Sequence, residues 1–314
     1  MHYLGLDIGG TKMAAVVMNA AGEETARYRR TTVKSDYPAF INELCDFVAK
    51  IRLQSQRPLA IGMALPGGIS PASGKIKNSN ILVLNGQDLK TDLEQRLGTT
   101  VVIANDANCF ALSEACDGAA KGAEVVFGVT LGTGCGGGMA IKQQVFAGAW
   151  GNAAECGHIT LPGYDERQDG PLAVCYCGRQ NCAESFVSGT GLAERYFRLT
   201  GEQRTAPEII GLAQQGDPHA LMQIVRFKSQ LARLLATLVN IVDPNVIVLG
   251  GGLSNEPLLL EGLADATGER VFTDRFLTPI VVAQHGDSSG MRGAAWLAIR
   301  SQTDAPRLTA ANTE

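Results

Sequence analysis

The sequence predicts an α/β protein built from two related halves, and three observations point there. Short apolar runs ending in glycine turns recur near residues 4, 126 and 246, as LGLDIGG, VVFGVTLGTG and VIVLGGG. Stretches of helical periodicity lie between them, so strands alternate with helices as in layered α/β folds. Composition agrees: 45% hydrophobic and 18% charged residues with 37 glycines suit a packed chain rich in tight turns. At 314 residues there is room for two domains. The recurrence is an echo rather than a short-period repeat, and it predicts a cleft between the halves, a favoured seat for small ligands.

The elements follow in order. YLGLDIGGTKMAAVVM reads as strand, glycine turn and strand, with β-branched Val16 and Val17 marking the second. In PAFINELCDFVAKIR, Phe40, Ile41, Leu44, Phe47, Val48 and Ile51 share one helical face. LAIGMALPGG is a buried strand that closes in a turn. TTVVIANDANCFALSEA opens as a strand, Val101 to Ala104, followed by a polar turn and a helix. EVVFGVTLGTGCGGGMAI repeats the opening pattern, and MAIKQQVF reads as a hairpin. An amphipathic helix from Leu221 to Val242 stops at Asp243-Pro244, because proline cannot continue it. NVIVLGGGLS runs from a buried strand into three glycines. MRGAAWLAI forms the last helix, and SQTDAPRLTAANTE is expected to fray.

Charge and targeting signals exclude several classes. With 27 basic and 31 acidic residues the net charge is −4, so nothing draws this surface to nucleic acid or anionic lipid. The start, MHYLGLDIGGTK, lacks the basic region and long apolar core of a secretory signal, and no apolar stretch reaches membrane-spanning length. A soluble, cytoplasmic protein is expected. In that compartment the eight cysteines point to reduced thiols or a metal rather than a disulfide framework. Cys45, Cys109 and Cys135 sit in apolar or glycine-rich surroundings and read as packing, while Cys116 and Cys156 stay open. CYCGRQNC places three thiols within residues 175–182, where a disulfide, a metal, a redox couple and plain packing all compete.

The glycine turns resemble two well-known motifs without matching either. GLDIGGTK spaces Gly5 and Gly10 like a P-loop, yet runs Gly-Thr-Lys, the wrong order for the lysine and hydroxyl. GTGCGGG contains G-x-G-x-x-G at Gly132, Gly134 and Gly137, but a hairpin follows instead of the helix a dinucleotide site needs. Taken singly, each turn reads as an ordinary hairpin. Together, with Asp7 at the first and hydroxyls at Thr11, Thr133 and Ser254, they suggest backbone N–H groups around phosphate oxygens. A carboxylate beside such an anion site makes sense when a cation, commonly Mg²⁺, joins the two.

NDANCF sets Asn105 and Asp106 where a strand gives way to a helix. Both residue types cap helices well, for about 1 kcal/mol. Asp106 reads equally as a general base for an alcohol nucleophile, since phosphoryl transfer asks the protein chiefly to position groups and accept one proton. Its place at a strand's carboxyl end, where α/β sites gather, favours the second reading.

In combination and order, DIGGTK, NDAN, LGTGCGGG, AECGH, CYCGRQNCAE and VIVLGGG make the chain resemble the ROK sugar kinases over nearly its whole length. That family belongs to the ATP-dependent hexokinases with an actin-like, duplicated ribonuclease-H-like fold. The resemblance implies a small N-terminal domain over 1–118 with the helix at 291–300 packed on it. It also implies a larger domain over 119–290 and a flexible tail over 301–314. It implies ATP and Mg²⁺ as cofactors, with Gly9, Gly10, Thr11 and Lys12 as a first phosphate loop and Asp7 near the metal. Gly132, Thr133 and Gly134 would form a second phosphate loop, and Gly250, Gly251 and Gly252 a turn under the adenosine. Asp106 would be the catalytic base, and Asn80, Asn105, Asp106, Glu155, His158 and Glu184 would contact the sugar. His158 with Cys175, Cys177 and Cys182 matches the family's zinc site; one histidine and three cysteines close a tetrahedron, so that zinc would be structural. A homodimer is implied as well.

Two positions depart from the family pattern: Ala154 before Glu155, and Asn181 before Cys182, stand where glycine is usual. The stretch SPASGKIKNSN…LNGQDLKTDL most resembles bacterial fructokinases that also accept mannose, near the N-acetylglucosamine kinases. The expected reaction is phosphorylation of a hexose at its 6-hydroxyl, fructose first, with N-acetylglucosamine or glucose as the alternative. Sugar-sensing repressors of the family carry a helix-turn-helix ahead of the first strand, for which a strand beginning by residue 3 leaves no room. A sensor without catalysis is disfavoured by Asp7, Asp106 and the intact turns.

Overall fold

The computed structural model describes residues 2–55 and 59–303, and the chain divides into two compact units. The first runs up to Cys109 and resumes at Gly290; the second is Phe110–Ser289. The division falls nine residues before the 118/119 limit expected from the sequence. The reason is packing: Phe110, Ala111 and Ala115 are buried in one cluster with Val126, Ala140, Val246 and Val248. Of the tail expected over 301–314, residues 301–303 continue the last helix and the rest lies outside the described residues.

The first unit opens with an antiparallel meander, β1 (His2–Ile8), β2 (Lys12–Asn19) and β3 (Glu24–Thr31). After α1 (Tyr37–Ser55) come β4 (Leu59–Leu65), a small hairpin of β5 (Gly68–Ile69) and β6 (Ile76–Lys77), and α2 (Leu89–Leu97). Then β7 (Val101–Asn105) leads into α3 (Asp106–Cys116). The sheet order is β3-β2-β1-β4-β7, with β1, β4 and β7 parallel. α1 buries the six apolar residues that its periodicity singled out. The polar turn expected after Ala104 is absent. Asn105 ends the strand and starts the helix at once, its Oδ1 accepting from the backbone N–H of Ala107 at 2.9 Å and of Asn108 at 3.3 Å.

The second unit repeats the plan with β8 (Val125–Leu131), β9 (Cys135–Ile141) and β10 (Gln144–Val145). Four helices follow: α4 (Glu166–Asp169), α5 (Gly189–Thr200), α6 (Ala206–Gln214) and α7 (Pro218–Val242). β11 (Val246–Gly250), α8 (Pro257–Leu260), α9 (Leu263–Gly268) and β12 (Ile280–Val282) complete it. The order β10-β9-β8-β11-β12, with β8, β11 and β12 parallel, reproduces that of the first sheet. α7 starts three residues before Leu221, because Asp217 caps it, accepting from Ala220 N–H at 2.7 Å, and Pro218 suits the first turn. It ends where Asp243 turns left-handed, at φ 48°.

α10 (Ser289–Thr303) lies on the first unit's sheet from Gly290 onward. Gly5 and Gly62 are paired across β1 and β4, and a Cβ on either would strike α10 backbone at Met291 or Ala294. The glycines are therefore what lets the helix approach.

Candidate active site and metal centre

In the first unit the parallel strands β1, β4 and β7 end side by side, and two acids stand there, one from β1 and one directly after β7. Asp7 is the penultimate residue of β1, and Asp106 is the first residue of α3, directly after β7. Both act on Cys109, whose thiol is raised well above its ordinary value by burial, then by Asp7, then by Asp106. The strand register, Asp7 beside Ala64 and Ala64 beside Ala104, puts the two carboxylates at one end of the sheet. Gly290, in the first turn of α10, is seated on Asp7, since a Cβ there would lie 2.5 Å from Oδ2. The turn of Gly9, Gly10, Thr11 and Lys12 joins β1 to β2 and is closed by Gly9 N–H donating to the Lys12 carbonyl at 2.9 Å. Asn105 keeps its capping duty and also donates from Nδ2 to the Gly67 carbonyl at 3.0 Å. The cap reading thus holds for Asn105, while Asp106 is exposed at the helix start. Asn80 is exposed beside Ser79, whose backbone N–H and carbonyl both pair with the Asn85 side chain, each at 2.9 Å.

In the second unit the two later glycine turns stack. Gly251 has φ 83°, and a Cβ there would fall 2.5 Å from the Leu131 carbonyl oxygen, at the start of the Gly132-Thr133-Gly134 turn. Gly250 and Gly128 both face the Phe110 ring, with Cβ positions 2.6 and 2.7 Å from its carbons. The Gly132 turn is latched by α5: Gly189 N–H donates to the Gly132 carbonyl at 2.8 Å, and Thr190 N–H to that of Thr133 at 3.2 Å. Glu184 belongs to the same assembly. Its Oε2 accepts from Cys135 N–H at 3.0 Å, and only the lack of a side chain at Gly134 admits it. Glu155 is exposed at the start of a 3-10 turn over Cys156–His158, which packs Gly157 on the Cys135 backbone. Cys156 is buried against Cys135, which settles it as packing; their mutual hydrogen bond, then burial, keeps the Cys135 thiol protonated. Cys116 is likewise buried.

Ala154, which precedes Glu155, sits at φ 65°, and Asn181, which precedes Cys182, at φ 55°. These are the two positions where glycine was expected, and both require the left-handed region that glycine enters freely. Asn181 compensates with its side chain, Oδ1 accepting from Ala173 N–H at 2.9 Å. Ala154 has no side-chain group that could do so.

His158, Cys175, Cys177 and Cys182 converge, with their ligand atoms all within 4.8 Å of one another. Nδ1 of His158 stands 3.7 Å from Cys175 Sγ, and Cys177 Sγ stands 3.6 Å from Cys182 Sγ. A tetrahedral zinc with bonds of about 2.3 Å to sulfur has ligand–ligand edges of roughly 3.7 Å, so these residues fit that ion. Without a cation the thiols oppose one another. Burial, then Cys177 and Cys175, push Cys182 up to about 12, while the backbone N–H of Arg179 draws the exposed Cys177 below its ordinary value. The loop is shaped by two short bridges, Thr160 with Cys182 and Val174 with Gln180. The second nitrogen of His158, Nε2, is 3.0 Å from the hydroxyl of Tyr176.

Tyr176 was passed over in the sequence, although a residue between two candidate ligands cannot lie far from their metal. The α5 latch was missed too. Its signal is the run Ser188-Gly-Thr-Gly, small residues next to Glu184 with no apolar periodicity to explain them. Among the described residues, no helix is long and apolar enough to cross a membrane.

A model of the ROK family matches residues 3–301. The N-acetyl-D-glucosamine kinase of Photobacterium profundum is 38% identical over 301 residues, spanning 95% of this chain and 99% of that one. Among solved structures, the ROK hexokinase from Thermus thermophilus aligns with a TM-score of 0.87 at 29% identity, covering 97% of this chain and 100% of its own. A ROK family glucokinase from Streptomyces griseus, in complex with glucose and AMPPNP, aligns with a TM-score of 0.76 at 30% identity, covering 96% and 100%. With two sheets of the same strand order, these likenesses establish the actin-like, duplicated fold expected from the motifs.

Proposed function

We propose that this chain, which belongs to the ROK family, is an ATP-dependent sugar kinase whose preferred acceptor is N-acetyl-D-glucosamine. The observation that carries the kinase reading is the attachment of Glu184, an expected sugar contact, to the backbone of Cys135 directly after the Gly132-Thr133-Gly134 turn. Residues suited to hold a hydroxylated acceptor and residues suited to hold phosphate are thereby fixed to each other within one unit. The choice of sugar rests on the full-length relatives named as N-acetyl-D-glucosamine kinases. They favour the alternative over fructose, which the SPASGKIKNSN stretch had put first.

In this reading Asp106 accepts the proton of the attacking sugar hydroxyl, a role supported by its exposure at the carboxyl end of β7. Asp7 holds Mg²⁺, and the turns around Gly10 and Thr133 bind phosphate oxygens through backbone N–H groups. Mg²⁺ with ATP supplies neutralisation of the charge on the transferred phosphoryl group. His158, Cys175, Cys177 and Cys182 would hold zinc as a structural ion, four protein ligands leaving no position for substrate, and would thereby fix His158 and the segment leading to Glu184.

A coupled ADP-release assay with N-acetyl-D-glucosamine, glucose, mannose and fructose tests the reading. The expected result is highest kcat/KM on N-acetyl-D-glucosamine. Asp106→Asn should lose about 10²- to 10⁴-fold in turnover while still binding sugar. Silence on all four sugars, or a variant that keeps most of its turnover, would overturn it.

A further inference from the structure

We infer that Tyr176 is a specificity-determining residue of the acceptor site, its hydroxyl holding His158 Nε2 and its ring presenting a fixed face to the sugar. The inference rests on the sugar-kinase reading, with His158 as an acceptor contact.

His158 presents two different edges. Nδ1 faces the thiol cluster, 3.7 Å from Cys175 Sγ, and Nε2 faces outward to Tyr176 Oη at 3.0 Å. A metal ligated at Nδ1 leaves the ring proton on Nε2, so the imidazole donates and the phenol accepts. The phenol's own proton then remains to be given to another acceptor. The two rings meet edge to face, with centroids 5.3 Å apart.

Tyr176 is not a casual surface residue. It stands between Cys175 and Cys177, in a turn closed by Cys175 N–H donating to the Arg179 carbonyl at 2.8 Å and Gly178 N–H to that of Cys175 at 2.9 Å. Its backbone is therefore as fixed as the ligands on either side. The simpler alternative is a tyrosine that merely orients a ligand histidine. Groups in that role are usually carboxylates, backbone carbonyls or water, and a phenol recruited only for it has no reason to leave its ring in solvent. Here the residue is 82% exposed. An aromatic with one wet apolar face and one anchored polar tip suits a ligand that is itself part apolar and part hydroxylated. A sugar arriving at His158 Nε2 must share or replace the phenol, so the phenol decides which substituent can sit there. A hydrogen bond that one sugar substituent can make and another cannot discriminates between them at such a site.

The test uses zinc-loaded, full-length protein and the variants Tyr176→Phe and Tyr176→Ala. Calorimetry measures binding of N-acetyl-D-glucosamine, glucose, mannose and fructose without ATP, and the coupled assay measures kcat and KM. Tyr176→Phe should weaken the preferred sugar about 2- to 10-fold, the value of one net hydrogen bond. The KM for ATP should be unchanged and kcat should hold within about 2-fold, as expected when a binding contact is removed. Tyr176→Ala should also shift the ranking of the four sugars. Variants with wild-type affinities and ranking would overturn the inference while leaving the kinase reading intact. So would sugar binding that falls only in step with loss of zinc. A wild-type protein that binds none of the four sugars would overturn the functional reading and this inference together.

Discussion

Gly62→Ala should destabilise the protein by about 3 kcal/mol, although it adds a single methyl group. A Cβ at residue 62 would lie 2.8 Å from the carbonyl carbon of Ala294 and nearer still to its oxygen. Ordinary carbon–carbon contact is about 3.5–4.0 Å, so α10 must retreat by roughly 1 Å. Both sides of the clash are backbone, so no rotamer can absorb it. The helix cannot tilt about this point either, because Gly5 lies beside Gly62 in the sheet and meets Ala295 N at 2.5 Å by the same measure. A gap of that size forfeits a quarter to a half of the dispersion attraction across the face where Met291, Ala294, Ala295 and Ala298 are now buried. The total sits at the upper end of the range for overpacking, about 3 kcal/mol, or roughly 6–12 °C in melting temperature. Urea denaturation followed by circular dichroism measures it. Gly211→Ala is the contrast: nothing lies within 4 Å of its Cβ inside α6, so it should stabilise by about 0.5–1 kcal/mol. Gly290 rides on Asp7 in the same helix, so, on the role proposed for Asp7, Gly62→Ala should also raise the KM for Mg·ATP. A Gly62→Ala protein within about 0.5 kcal/mol of wild type would refute the close-approach reasoning.

Three further expectations follow from the second unit. Asp169 is buried, with Oδ1 accepting from Arg233 and from Gln230 Nε2 at 3.1 Å. Burial alone would raise this carboxyl, but Arg233, the Asp165 backbone and Gln230 outweigh it and hold it below its usual value. Its contribution is therefore present above about pH 4 and is lost as pH falls through the depressed native value. Asp169→Ala should cost about 3–5 kcal/mol at pH 7 and flatten the acid limb of a stability–pH profile; an unchanged limb would count against the pairing. Ala154→Gly should raise the melting temperature, because relief of about 1–2 kcal/mol of left-handed strain exceeds the roughly 0.4–1 kcal/mol of added chain entropy; a lower melting point would refute the strain. Freshly purified protein should hold one zinc per chain, and stripping it should expose Cys177 to alkylation first, as the exposed thiol of lowered pKa. Equal labelling of Cys177 with and without the metal would contradict the site.

Much of this was legible in the sequence because the signals were local. Apolar runs into glycine marked β1, β8 and β11, and a 3.6-residue period marked α7 and, down to its six buried positions, α1. β3 was hard to read because in ETARYRRT only Ala26 and Tyr28 are apolar on the half-buried face, which Arg30 continues, so the alternation is two residues long and no residue is fully buried. The division at Cys109 was illegible for another reason: it interrupts a continuous helix, and only the burial of Phe110 beside β8 and β11 reveals it. For the metal cluster, residue types and spacing gave the candidates, but its closure depends on a fold-back between residues 158 and 182 that spacing does not encode. The left-handed backbone at Ala154 and Asn181 was legible only by comparison with a pattern that has glycine there.

The two sheets share a plan, yet matching positions on their first strands have taken different chemistry, and packing explains which could change. Gly5 and Gly128 each occupy the fourth position of their strand, and each lets a helix side approach: α10 backbone in one unit, the Phe110 ring of α3 in the other. A side chain at either would lift the covering helix, so both remain glycine. Two residues on, the strands diverge into Asp7 and Thr130. Thr130 is absorbed by its own ladder, its Oγ1 accepting from Gly136 N–H at 3.1 Å. Asp7 has the backbone of Gly290 against it and no Cβ there to crowd it. The duplicated fold thus supplies two equivalent strand ends of unequal surroundings. The end seated under glycine can carry a carboxylate for a cation, while the other keeps a neutral hydroxyl beside glycine turns suited to anions.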